Sequence, residues 1–80
     1  MSYTLRIQYH NNVDITKEME YNEVIDEILR YLNGLTNDNF TTSDVVNNLG
    51  RNGDVQTYTR MITGEMFICN FWESESDKEN

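Results

Sequence analysis

The chain has no basic cluster and no long apolar run, and it carries a single cysteine and a single histidine. Six Lys and Arg stand against fourteen Asp and Glu, a formal net charge of −8 across 80 residues. With so little positive charge the chain cannot neutralise a row of phosphates, so direct nucleic acid binding is not expected, nor is adhesion to an acidic membrane. Basic protein surfaces are the partners such a charge attracts. The lone Cys69 excludes an intramolecular disulfide framework and points to a reducing, cytoplasmic setting. No stretch approaches the length of a membrane span, and the first residues, Met1 to Arg6, have no apolar segment of the signal-peptide kind.

Chemistry is equally sparse. His10 falls at an expected turn and Cys69 in an apolar strand, and neither has a sequence-local partner that would activate it. One His and one Cys would leave carboxylates to complete any metal site, without a loop of the EF-hand type. A glycine-rich phosphate loop is also missing. The expectation is a protein with no catalytic residue, no metal and no cofactor: not an enzyme.

What is present is the pattern of a small folded domain. Eighty residues bury only about 60–65% of their unfolded surface, so the core is thin. Tyr3, Leu5, Ile7 and Tyr9 alternate with Thr4, Arg6 and Gln8, a half-buried strand over 3–9. Val13, Ile15, Met19 and Tyr21 do the same over 13–21, with Lys17 interrupting. For the two apolar sets to share a face, the connection must be odd in length. That predicts a three-residue loop, His10-Asn11-Asn12, with Asn12 left-handed.

Residues 23–35 change to helical period: Val24, Ile25, Ile28, Leu32 and Leu35 form one stripe, with Leu29 and Tyr31 at its margins. Asn22 is the expected N-cap, and Gly34 with Asn37 marks the exit. A short helix is expected at 43–49, capped by Thr42 or Ser43, and broken by Gly50 and Gly53. Strands at 55–62 and 65–72 then form a hairpin around Thr63-Gly64, through a two-residue or a four-residue loop. The two-residue register puts Val55, Met61, Met66, Ile68 and Trp72 on one face and Tyr58, Ile62, Phe67, Cys69 and Phe71 on the other. Both faces are apolar, and one helical layer covers only one of them. The predicted fold is α+β in the order ββααββ, antiparallel hairpins with one main amphipathic helix and a second short one. The domain spans 1–73, and 74–80 is expected to be a disordered acidic tail.

Three constellations could carry function. The first is acidic. Asp14, Glu18 and Glu20 are expected on the outward face of the second strand, where neighbours at i and i+2 lie roughly 6–7 Å apart. Glu23, Asp26 and Glu27 continue the negative surface onto the helix. The second is Tyr58, Phe67 and Phe71, with Arg60 placed to stack on Phe67. An apolar face with an acidic rim has the composition of a partner-binding surface or homodimer seam, although core packing is the commoner use of such residues. The third lies in 41–62. Thr41 to Gly50 resembles the first helix and glycine turn of a helix-turn-helix, with Asp54 to Met61 as the recognition helix. That would imply a small winged-helix-like transcriptional regulator. Arg51-Asn52-Gly53 loosens the turn, however, and Thr57-Tyr58-Thr59 prefers strand.

In size, charge and the Asp14/Glu18/Glu20/Glu23/Glu27 array, the chain resembles the small acidic inhibitors that bacteriophages use against host or defence proteins, anti-CRISPR proteins among them. The resemblance implies steric or electrostatic occupation of a nucleic-acid-binding groove on a basic target, in the manner of a nucleic-acid mimic. It implies no common fold and rests on no family motif.

Overall fold

The computed structural model describes residues 2–74. An N-terminal hairpin of β1 (Tyr3–Tyr9) and β2 (Asn12–Met19) leads into helix α1 (Tyr21–Leu35) and the short α2 (Thr42–Val46). Strands β3 (Gly50–Asn52), β4 (Val55–Ile62) and β5 (Glu65–Glu73) follow. All five strands join one antiparallel sheet in the order β2-β1-β5-β4-β3. This is the expected α+β arrangement, enlarged by the three-residue β3. That strand forms because Gly53, at φ 64°, permits a tight return from Asn52 to Val55.

The C-terminal hairpin takes the two-residue register. Ile62 pairs with Glu65, and Thr63 and Gly64 both adopt positive φ, 47° and 84°, as a type I′ turn requires. Consecutive strand residues therefore alternate between a helix-covered face and an open one. Phe67, Cys69 and Phe71 of β5, Tyr58 and Ile62 of β4, and Leu5 and Ile7 of β1 meet Val24, Ile25, Ile28 and Leu32 of α1 and Val45 of α2 in one buried cluster. Both helices lie on that side. Tyr3 and Tyr21 set their rings edge-on to Phe71, each with centroids 6.0 Å away, and so seal one end of the core.

The first hairpin departs from the parity argument. Tyr9 pairs with Asn12, so the connection is the two-residue His10-Asn11, with His10 rather than Asn12 left-handed at φ 56°. Val13 and Ile15 consequently turn to the open face, opposite Gln8 and Arg6, while Asp14 and Thr16 share the helix side with Ile7 and Leu5. A bulge then resets the phase. Glu18 takes φ 60°, the register shifts, and Met19 returns beside Tyr3. The physical reason is that β2 is an edge strand beyond the reach of the helical layer. Its residues from Asn12 to Glu18 are all exposed, so burial exerts no force on its register.

Two boundaries also move. Helix α1 starts two residues earlier than predicted, with Glu20 rather than Asn22 at the N-cap. Ser74 belongs to the body and not to a tail. It is 4% exposed, its N–H donates to the Ser2 carbonyl, and its hydroxyl meets that of Thr4 at 3.1 Å. The remainder of the expected acidic tail, 75–80, lies outside the described residues.

Candidate functional site

The acidic residues are strung along β2 and α1, with Glu18 in the bulge, Glu20 and Glu23 at the start of the helix, and Asp14 beside Tyr31 further along it. Glu20 closes the strand-to-helix connection: its N–H donates to Glu23 Oε1 at 2.8 Å, and its carbonyl accepts from Val24. The carboxylates of Glu20 and Glu23 thus sit at the positive end of the helix, where negative charge is favoured. Asp26 is exposed one turn further on. Glu27 is gripped by Arg30, with Nε to Oε1 at 2.8 Å and Nη2 to Oε2 at 2.9 Å. The guanidinium holds the Glu27 carboxyl below the usual carboxylate range, against the opposing effects of partial burial and, more weakly, of Asp14. Among the described residues, the ion pairs are Glu27–Arg30 and a longer His10–Glu65 contact at 3.8 Å. No cation is within ion-pair distance of Asp14, Glu18, Glu20, Glu23 or Asp26 among those residues.

The array is a patch, however, and not the row that the sequence suggests. Asp14 points to the helix side of the sheet, where Tyr31 donates its hydroxyl to Oδ2. That bond raises the Tyr31 pKa, since ionising the phenol would remove the proton Asp14 accepts. Glu18 sits in the bulge, and Glu20 lies beyond the strand. One strand face bearing Asp14, Glu18 and Glu20 at phosphate-like intervals is therefore not formed. What the fold builds instead is a negative surface that wraps from an edge strand to a helix N-terminus.

A cleft of about 260 Å³ opens beside it, between α1 and the first hairpin. Ile7 and Leu35 give it apolar walls, Asp14 and Tyr31 polar ones, and Asn12 and Val13 complete its rim. Tyr31 is the residue that the sequence understates. Its place at the margin of the helical stripe is the one trace of it, because a marginal tyrosine can bury its ring and keep its hydroxyl at the surface.

The other two constellations resolve differently. Tyr58, Phe67 and Phe71 are 2%, 0% and 0% exposed and belong to the core beneath the helices, so they offer nothing to a partner. Arg60 stacks on Phe40, 4.4 Å from the ring centroid, rather than on Phe67. The expected recognition helix is strand β4, and α2 is only five residues long, which removes the helix-turn-helix. Cys69 is fully buried, and burial pushes its thiol up to about 12. No group of three or more His, Cys, Asp or Glu is arranged to hold a metal ion among the described residues. None of their helices is long and apolar enough to cross a membrane. Comparison with known proteins finds no matching family model, no similar curated protein and no similar solved structure.

Proposed function

We propose that this chain is a non-enzymatic acidic binding protein that occupies a basic surface on a nucleic-acid-handling protein and thereby inhibits it. The observation that carries the reading is the excess of unpaired carboxylates along β2 and α1, where Asp14, Glu18, Glu20, Glu23 and Asp26 have no cation within ion-pair distance among the described residues. Asp14, Glu20 and Glu23 take local hydrogen bonds, yet no ion pair neutralises any of the five among the described residues. Arg51 and Arg60 lie on β3 and β4, at the far side of the sheet. Such a charge distribution orients an approaching basic surface and speeds its encounter.

The cleft adds a means of anchorage. A lysine or arginine of the partner can lay its aliphatic stem against Ile7 and Leu35 and bring its charge to Asp14. This is a role of the kind suggested by the resemblance to small phage inhibitors, achieved here with a bulged hairpin and one helix.

The test is capture of basic proteins from a lysate at low and at high salt, with double-stranded DNA as competitor. Capture should weaken as salt rises and as DNA is added, and the triple variant Glu20→Gln, Glu23→Gln, Asp26→Asn should lose it while remaining folded. Partners that are acidic, or capture indifferent to salt, would exclude the mimic.

A further inference from the structure

The face of the sheet turned away from the helices is open over most of its length, closing only at the end where Thr4 and Ser74 are buried against each other. Its residues follow from the register. Met66 and Met61 form one row; Val13, Gln8, Ile68 and Thr59 the next; then Ile15, Arg6, Asn70 and Thr57; then Thr4 with Trp72. Ile15 and Met61 are each 58% exposed, Val13 and Met66 each 44%. Among the described residues these rows hold no carboxylate, although the chain is strongly acidic; their charged residues are Arg6 and, by the alternation of β2 up to the bulge, Lys17 beside Thr4.

We infer that this face is the seam of a homodimer, in which two copies pack sheet against sheet with helices and carboxylates outward. Three observations select a second copy as occupant. The first is charge. A chain of net charge −8 meets least repulsion from its own kind through a surface poor in carboxylates, and among the described residues this is such a surface. A basic partner, by contrast, is drawn to the acidic edge and would meet Arg6 here. The second is topology. Strand β5 is central, so a two-fold axis lying along it stacks β1 on the β4 of the second copy. Arg6 then lies over Thr57 of that copy and not over its own image. The Thr57 hydroxyl donates to Asn70 Oδ1 at 2.9 Å, which leaves its lone pairs to accept from a guanidinium. The third is area. Strands about 4.8 Å apart with a rise of about 3.3 Å per residue give a face of roughly 500 Å². Two such faces bury about 1,000 Å², the lower bound for a specific interface.

The inference does not depend on the acidic edge, and salt separates the two. Sedimentation equilibrium from about 1 to 200 µM should show a species of twice the 9.5 kDa chain mass. Its dissociation constant should fall when salt is raised to about 0.5 M, because screening relieves repulsion between like net charges. Capture of a basic partner through the acidic edge would move the opposite way. The double variant Ile15→Lys, Met61→Lys changes only half-exposed side chains, so its circular dichroism should match wild type while dimerisation weakens at least about tenfold. Asp26→Lys, on the helix side, should leave the dimer intact. A monomer at every concentration in high salt would overturn the inference. So would a mass that grows without limit, as open strand edges would give, or a dimer that survives the double variant.

Discussion

Tyr31 on helix α1 donates its hydroxyl to Asp14 of the edge strand β2, joining two elements that otherwise meet only at the rim of the core. The bond is charge-assisted but close to solvent, so Tyr31→Phe should lower the unfolding free energy by about 1 kcal/mol in denaturant titration. The same bond has a pH signature. Because Asp14 favours the protonated phenol, the folded-state pKa of Tyr31 is raised. The stabilisation is therefore complete below the ordinary tyrosine value near 10 and is lost as pH rises through the higher folded value. An NMR titration of Tyr31 should show the elevation, and Asp14→Asn should reduce it. A Tyr31 that titrates like a free tyrosine would mean that the clasp is open in solution.

Glu18 is the residue on which the first hairpin turns. A non-glycine side chain at φ 60° is strained, and the bulge uses that conformation to bring Met19 back to the helix side. Glu18→Gly should leave stability unchanged or raise it by up to about 1 kcal/mol, since relief of strain and greater freedom of the unfolded chain oppose each other. Glu18→Val should cost more than about 1 kcal/mol, because a β-branched residue tolerates the left-handed region worst. Thermal melts of the two variants should therefore move apart, and a valine variant as stable as wild type would show that the bulge is not needed.

The contrast between this hairpin and the C-terminal one shows what the sequence makes legible. In β4 and β5, Tyr58, Phe67, Cys69 and Phe71 are pressed between sheet and helices, and a one-residue slip would expose all of them. Alternation there reads directly as structure, as does the stripe Val24, Ile25, Ile28 and Leu32 in α1. Val13 and Ile15 have the same alternation but lie on an edge strand with no cover, so nothing couples their pattern to a face. The one sign was Lys17, which breaks the apparent phase next to the bulge. Of the acidic patch, membership was legible from charge alone. Its shape was not, because Asp14 changes face with the register, and the Tyr31 clasp depends on a contact between residues far apart in sequence.

Cys69 should be chemically silent in the native protein. Its side chain is fully buried, and burial raises its pKa to about 12, so thiolate is scarce at neutral pH. Reaction with a water-soluble disulfide reagent should proceed at the rate at which the domain opens, and it should become immediate in denaturant. Fast labelling of folded protein near neutral pH would mean that β5 opens locally. That outcome would weaken any role for the open face as a rigid seam, because Cys69 is flanked by Ile68 and Asn70 on that face.

The two sides of the sheet should answer truncation very differently. Phe67 is fully buried against the helices and its ring packs edge-on to Tyr9, with centroids 6.2 Å apart. Phe67→Ala removes that contact and leaves a cavity, a loss of about 3–5 kcal/mol. Total stabilities of small domains are typically about 5–15 kcal/mol, and a thin core places this one toward the lower end, so the variant should be largely unfolded at physiological temperature. Ile15→Ala removes a side chain that is already more than half exposed, so at micromolar concentration its effect on monomer stability should stay within about 0.5 kcal/mol. Chemical denaturation of both variants at one low protein concentration makes the comparison. Equal losses would mean that the open face is covered in the monomer, and the assignment of Phe67 to core and Ile15 to surface would have to be exchanged for a two-sided core.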